Sequence, residues 1–211
     1  MFSIRKRFVT RLIISASVIA NLELAAQPDP ALKVAPPRET ARQIPNSIRT
    51  DYYEVHGTNA ETLLASIKAN HPSASHASTE WRIDWNCEYL LKSDECILSS
   101  FSTRVRVQYT LPQWVDSQRA GEALRGEWKR YLGALGLHES GHAGFGIAAA
   151  KEMVRLVNSR EWRAPDRREL KAQIDEACDK TLREFRAREI AYDEKTDHGR
   201  TQGARLKTTP Y

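Results

Sequence analysis

The stretch "LGLHESGHAGFG", residues 135–146, places His138, Glu139 and His142 within five positions of a segment with no proline. On a helix, residues four apart share a face, with Cβ atoms about 5–6 Å apart. His138 and His142 then aim two imidazoles at one point, and zinc accepts histidine nitrogen at roughly 2.0–2.1 Å. Glu139, one residue on, leans away from the metal and can instead take a proton from water beside it. This is the physical content of His-Glu-x-x-His on a helix. With 6 histidines in 211 residues, chance produces the pattern on the order of once in a hundred shuffled sequences. The flanks are Leu137 and then Ala143, Gly144, Phe145, Gly146, Ile147 and Ala148. So apolar a setting buries the histidines, and buried polar groups need partners. Gly141, Gly144 and Gly146 weaken a helix; tight packing is the expected reason, and close approach of a substrate strand the alternative.

The helix carrying this motif decides the fold class. From "DSQRAGEALRGEWKRYLGALGLHESGHAGFGIAAAKEMVRLVNS", residues 116–159, apolar residues recur at three- and four-residue spacing, with Leu124, Trp128, Tyr131 and Leu132 on one face. A kink is expected near Gly133 and Gly136. Pro165 and Asp166 open another helix, whose apolar face is Leu170, Ile174, Cys178, Leu182 and Phe185. Upstream the period changes to two. Trp81, Ile83 and Trp85 alternate, as do Phe101, Thr103, Val105, Val107 and Tyr109, which predicts half-buried, antiparallel strands, the second ending at Pro112. "RTDYYEVHG" reads as a further strand, and "NAETLLASIKANHP" as a short helix capped by Asn59. Strands first and helices after make an α+β domain, with N-terminal antiparallel strands packed on a zincin-like helical part.

Residues 1–26 read as a secretory signal peptide: a basic start with Arg5, Lys6, Arg7 and Arg11, the apolar "LIISASVIA", then Ala20, Ala25 and Ala26. The apolar run is too short for an ordinary membrane span. These residues carry a net +3, leaving +2 of the chain's +5 for the remainder, with no basic run interleaved with aromatics; nucleic acid is set aside as a partner. Residues 27–48, Pro-rich, read as a flexible leader, and 49–211 as one domain. An exported chain permits a disulfide. Cys87 and Cys96 flank "EYLLKSDE" and are the expected pair, with Cys96–Cys178 as the alternative. No C-x-x-C occurs, so thiolate zinc ligation is not expected.

A catalytic zinc takes three protein ligands plus water, so a third is needed. His56, His71 and His76 lie upstream, in loop or strand contexts. Downstream, "AYDEKTDHG", residues 191–199, gathers Tyr192, Asp193, Thr196, Asp197 and His198 after a long helix. His198 is taken as the third ligand, with Asp193, Glu169 and Glu176 as alternatives. Tyr192 is the candidate donor to a tetrahedral oxyanion, and Asp193 or Asp197 the candidate to orient a ligand histidine.

The signal peptide, "TLPQW" at 110–114, Trp128 ahead of "LHESGH", and "YDEKTDHGRTQGARL" at 192–206 together resemble a bacterial family described as secreted zinc-dependent proteases, also filed as a domain of unknown function. The resemblance spans roughly residues 50–206; Lys207 stands where that family usually has proline. It implies that His138 and His142 bind zinc, that Glu139 is the catalytic base, and that the Tyr-Asp-x-x-Thr-x-His-Gly piece belongs to the site. The expected function is a periplasmic or secreted zinc metallopeptidase acting on a peptide or protein substrate. A zinc hydrolase of a non-peptide or cell-wall amide bond, and an exported metal-binding domain without turnover, are the alternatives.

Overall fold

A computed structural model describes residues 41–71 and 75–208. The proposed signal peptide and most of the proposed leader lie outside these residues. Among the described residues four strands and three α-helices follow in the order β1 (Ala41–Val55), α1 (Ala60–Asn70), β2 (Ser78–Lys92), β3 (Glu95–Trp114), α2 (Glu122–Asn158), β4 (Arg163–Ala164) and α3 (Arg167–Thr196). Among the described residues no helix is long and apolar enough to cross a membrane.

The local signals explain the helix boundaries. Asn59 Oδ1 accepts from Thr62 N at 2.9 Å and starts α1. Asp166 Oδ1 accepts from Glu169 N at 2.8 Å and starts α3. Each satisfies a backbone N–H that the first turn leaves without an intrahelical partner. β1 begins at Ala41, so residues 41–48, expected in the leader, belong to a strand.

β3 is the central strand. β2 pairs with it antiparallel through a tight turn in which Ser93 takes a positive φ of 32°. β1 pairs with it in parallel, and β4 adds a short antiparallel pairing at Cys96 and Ile97. The two alternating strands, β2 and β3, are antiparallel as expected, and the expectation of antiparallel N-terminal strands is corrected at β1, which runs parallel to β3. Period-two alternation reports that one face of a strand is wet, not which way the strand runs. Here the outer face carries Glu80, Arg82, Asp84, Arg104, Arg106 and Gln108, all exposed, whether the neighbour is parallel or not. β3 also runs past Pro112 to Trp114. The ladder to β2 stops at Ser78–Thr110, so Pro112 sits where β3 has one neighbour only and its missing N–H is tolerated.

The cysteine expectation is corrected too: Cys87, Cys96 and Cys178 are all free thiols. The turn is tighter than the quoted loop, so both strands run through their cysteines. Cys87 registers with Phe101, and Cys96 with Leu91. Four residues of strand separate those rungs, about 13 Å, beyond the roughly 7 Å between Cα atoms that a disulfide spans.

The inner face of the sheet buries Trp81, Ile83, Phe101, Val105 and Val107 against α2 and α3, where Met153, Leu170, Ile174 and Cys178 are buried. A second cluster joins Val55, Leu63, Ile67 and Trp114 to Leu124, Tyr131 and Leu135. α2 crosses both clusters and runs unbroken through Gly133 and Gly136. The His-Glu-x-x-His motif falls on α2 at the junction between them.

Two of the three motif glycines are packing positions. A Cβ at Gly146 would meet the Trp81 ring at 2.8 Å, and one at Gly141 would overlap the Tyr192 phenol, whereas one at Gly144 meets nothing within 4 Å. Gly146→Ala is therefore expected to lose about 1–3 kcal/mol to overpacking. Gly144→Ala is expected to gain up to about 1 kcal/mol from helix propensity. Urea denaturation of the two variants checks this; equal shifts of the same sign would refute the packing account.

Candidate metal centre

His138, Glu139 and His142 are all buried, at 4%, 4% and 8% exposure. The two imidazoles meet at their Nε2 atoms, 3.2 Å apart. The third group of the cluster is Asp193, in the last turns of α3. Its Oδ1 lies 3.2 Å from His138 Nε2 and 3.0 Å from His142 Nε2. Among the described residues these three form the group able to hold a metal ion.

Each imidazole is oriented from behind. His138 Nδ1 donates to Gln202 Oε1 at 3.0 Å, and His142 Nδ1 donates to Glu189 Oε1 at 3.1 Å. With the Nδ1 protons engaged by acceptors, both Nε2 atoms present lone pairs to the centre. Asp193 Oδ1 faces them, yet it is buried and has no hydrogen-bond partner. Three electron-rich atoms within 3.0–3.2 Å repel one another unless a metal cation, or a proton on one Nε2, lies between them. Donors on one tetrahedral zinc at roughly 2.0–2.1 Å stand about 3.3 Å apart. The donor set, its spacing and the orphaned oxygen therefore fit a zinc ion.

Glu189 anchors this arrangement. Its Oε1 also accepts from Trp81 Nε1 at 2.9 Å, and its Oε2 from Arg186 Nη1 at 2.8 Å. The Arg186 guanidinium lies 3.5 Å over the Trp81 ring. Burial opposes ionisation of Glu189, but the bonds from His142, Arg186 and Trp81 outweigh it and hold its carboxyl below the usual range. Burial likewise opposes charge on His142, and there the Glu189 bond and the carboxylates of Asp193 and Glu139 prevail, raising its pKa. Glu189→Gln removes the charge and keeps the shape. It is expected to weaken metal binding about 10- to 100-fold, read by competition with a chromophoric chelator; unchanged affinity would remove Glu189 from the site.

Glu139 does not join the metal group. Its Oε2 accepts from the Thr79 hydroxyl of β2 at 2.6 Å. Burial pushes its pKa up, with the Thr79 bond and the two histidines pulling the other way. The motif opens onto a cleft of about 660 Å³. One wall is Ser75 to Thr79; the other is Glu189, Ile190 and Asp193 with His198 and Arg200.

The family model described as "Bacterial protein of unknown function (DUF922)" matches residues 50–199. The chain belongs to this family. The match takes in both histidines, Glu139 and Asp193 and ends at Gly199. No curated protein and no solved structure matches the chain. The family's description names no activity, so a chemical reading rests on the site.

The structure brings Asp193, and not His198, to the two histidines. His198 is 69% exposed, and its Nδ1 is 3.7 Å from the other Asp193 oxygen, Oδ2. The reason lies in the backbone. α3 continues through Thr196, so Asp193 is helical and faces α2, and the chain then turns through Asp197, His198 and Gly199 at φ 48°, 50° and 81°. Gly199 is required there on two counts: its positive φ, and a Cβ that would lie 2.8 Å from His138 Cγ. Glu169 and Glu176 lie elsewhere: Glu169 bonds Gln173, and Glu176 bonds Arg183 on an exposed face of α3. Tyr192 stacks on the His138 ring, with centroids 5.1 Å apart at 12°. Its hydroxyl is 3.2 Å from both the His138 carbonyl and Gln202 Oε1, so it braces His138 from behind. Glu189, Gln202 and Thr79 were missed by sequence reasoning. Two of them had a signal: Gln202 lies within the quoted stretch at 192–206, and Glu189 lies one turn before Asp193 on the same helix face.

Proposed function

We propose that this protein is an exported zinc-dependent metallopeptidase of the zincin type, with His138, His142 and Asp193 holding the metal and Glu139 as general base. The convergence of two Nε2 atoms and a buried, partnerless carboxylate oxygen within 3.0–3.2 Å carries this reading. A zinc ion held there supplies Lewis acidity, polarising a carbonyl and making water acidic near neutral pH.

The chain's own residues supply the rest. Glu139 is next to the metal group and outside it, so its carboxylate is available to take a proton from the attacking water and pass it to the leaving amine. Thr79 holds Oε2 of that carboxylate. Its burial raises its basicity, which favours proton abstraction near neutral pH. Among the described residues β2 is an edge strand, and its first residues, Ser78 and Thr79, line the cleft. An extended peptide can pair along such an edge, which favours a peptide substrate over a compact one. The test is incubation of the purified zinc-loaded protein with a mixed peptide pool and, separately, with cell-wall fragments, followed by mass spectrometry. Cleavage of peptide bonds, abolished by a chelator and restored by zinc, is the expected result. Cleavage of wall fragments alone would assign the site to another amide, and cleavage of neither would leave a metal-binding domain.

A further inference from the structure

His76 lies in the cleft wall, in the segment entering β2, three residues before Thr79. Two tyrosines from different elements hold it. The Tyr53 hydroxyl of β1 donates to the His76 backbone carbonyl at 2.6 Å. The Tyr131 hydroxyl of α2 is 2.8 Å from His76 Nδ1, and the rings meet edge to face at 6.0 Å and 68°.

The direction of the second bond follows from burial. Tyr131 is 0% exposed, and burial pushes its phenol well above the usual range, so it keeps its proton. Among the described residues its hydroxyl has one hydrogen-bond partner, His76 Nδ1. If that hydroxyl only accepted, its proton would be buried without an acceptor, at a cost of about 1–3 kcal/mol. Tyr131 therefore donates, Nδ1 accepts, and the imidazole proton sits on Nε2. Burial, then the charges of Lys68 and His71, push His76 below the usual histidine pKa, so the ring is neutral at neutral pH. Its Nε2 edge, opposite Tyr131, has no partner among the described residues.

We infer that His76 is a substrate-binding residue, its Nε2–H fixed by Tyr131 as a donor to a carbonyl oxygen of an extended peptide lying along Ser75–Thr79. This rests on the metallopeptidase reading and adds to it a recognition contact on the β2 side. The other aromatic donor near the motif, Tyr192, spends its hydroxyl on His138 and Gln202.

Long-range proton–nitrogen NMR of histidine-labelled, zinc-loaded protein at pH 7 is expected to show His76 protonated at Nε2 alone. With a quenched fluorescent peptide pool, His76→Ala should raise KM about 3- to 10-fold with kcat and zinc content nearly unchanged, as for loss of one neutral hydrogen bond made equally in ground and transition states. Tyr131→Phe keeps the packing and frees Nδ1; it should show both tautomers and an intermediate KM. A His76 proton on Nδ1, or a His76→Ala KM equal to wild type, overturns the assignment. A lowered Tm with unchanged KM would make His76 a strut. If wild type cleaves peptides and His76→Ala does so equally well, only this inference fails. If wild type binds no zinc or cleaves no peptide, the metallopeptidase reading fails and this inference with it.

Discussion

One zinc ion per chain is expected in the purified protein, and His138→Ala, His142→Ala and Asp193→Ala are each expected to lose it. Zinc-finger sites bind with about 10–16 kcal/mol shared among four ligands, so removing one ligand costs on the order of 100- to 1,000-fold in affinity. The decisive comparison is Asp193→Ala against His198→Ala. Asp193 Oδ1 is within 3.2 Å of both Nε2 atoms, whereas His198 is exposed and reaches only toward Asp193 Oδ2. His198→Ala should therefore keep zinc within a few-fold of wild type. Metal analysis by mass spectrometry, with chelator competition for affinity, gives the answer. Zinc retained in Asp193→Ala and lost in His198→Ala would transfer the third position to His198.

Glu139→Gln is expected to keep zinc and to lose hydrolysis by a factor on the order of 100 or more, the usual contribution of a general base. The amide oxygen of glutamine can still accept from Thr79, which now bonds Oε2 at 2.6 Å, so the side chain keeps its place. What it loses is the capacity to take a proton. Because Glu139 is not in the metal group, metal content and thermal stability serve as internal controls. Turnover equal to wild type in a zinc-loaded Glu139→Gln would remove Glu139 from the mechanism. Loss of zinc in the same variant would make it a ligand.

The residues that sequence alone identified are those whose geometry is local. His138 and His142 share a face because a helix repeats every 3.6 residues, and nothing beyond α2 is needed to place them. The caps at Asn59 and Asp166 and the buried face of α3 were legible for the same reason. Strand direction was not, since alternation reports solvent on one face and says nothing about the neighbour's polarity. The disulfide expectation failed on a turn only two residues long, which moved the cysteines onto distant rungs.

The third member of the candidate metal group was decided by tertiary structure. Asp193, His198, Glu169 and Glu176 have comparable chemistry in the sequence. Which of them meets α2 depends on how far α3 runs before it breaks and on the angle at which it docks. Gly141 and Gly199 admit that docking, one against the Tyr192 phenol and the other against the His138 ring. The groups behind the two histidines and Glu139 were out of reach for a related reason: Thr79 is 60 residues from Glu139, Glu189 is 47 from His142, and Gln202 is 64 from His138. Helix periodicity determined the two histidines and the glutamate beside them. Only the packing of α3 and β2 onto α2 decided what completes, orients and opens the site, because contacts between elements have no period that a single chain can display.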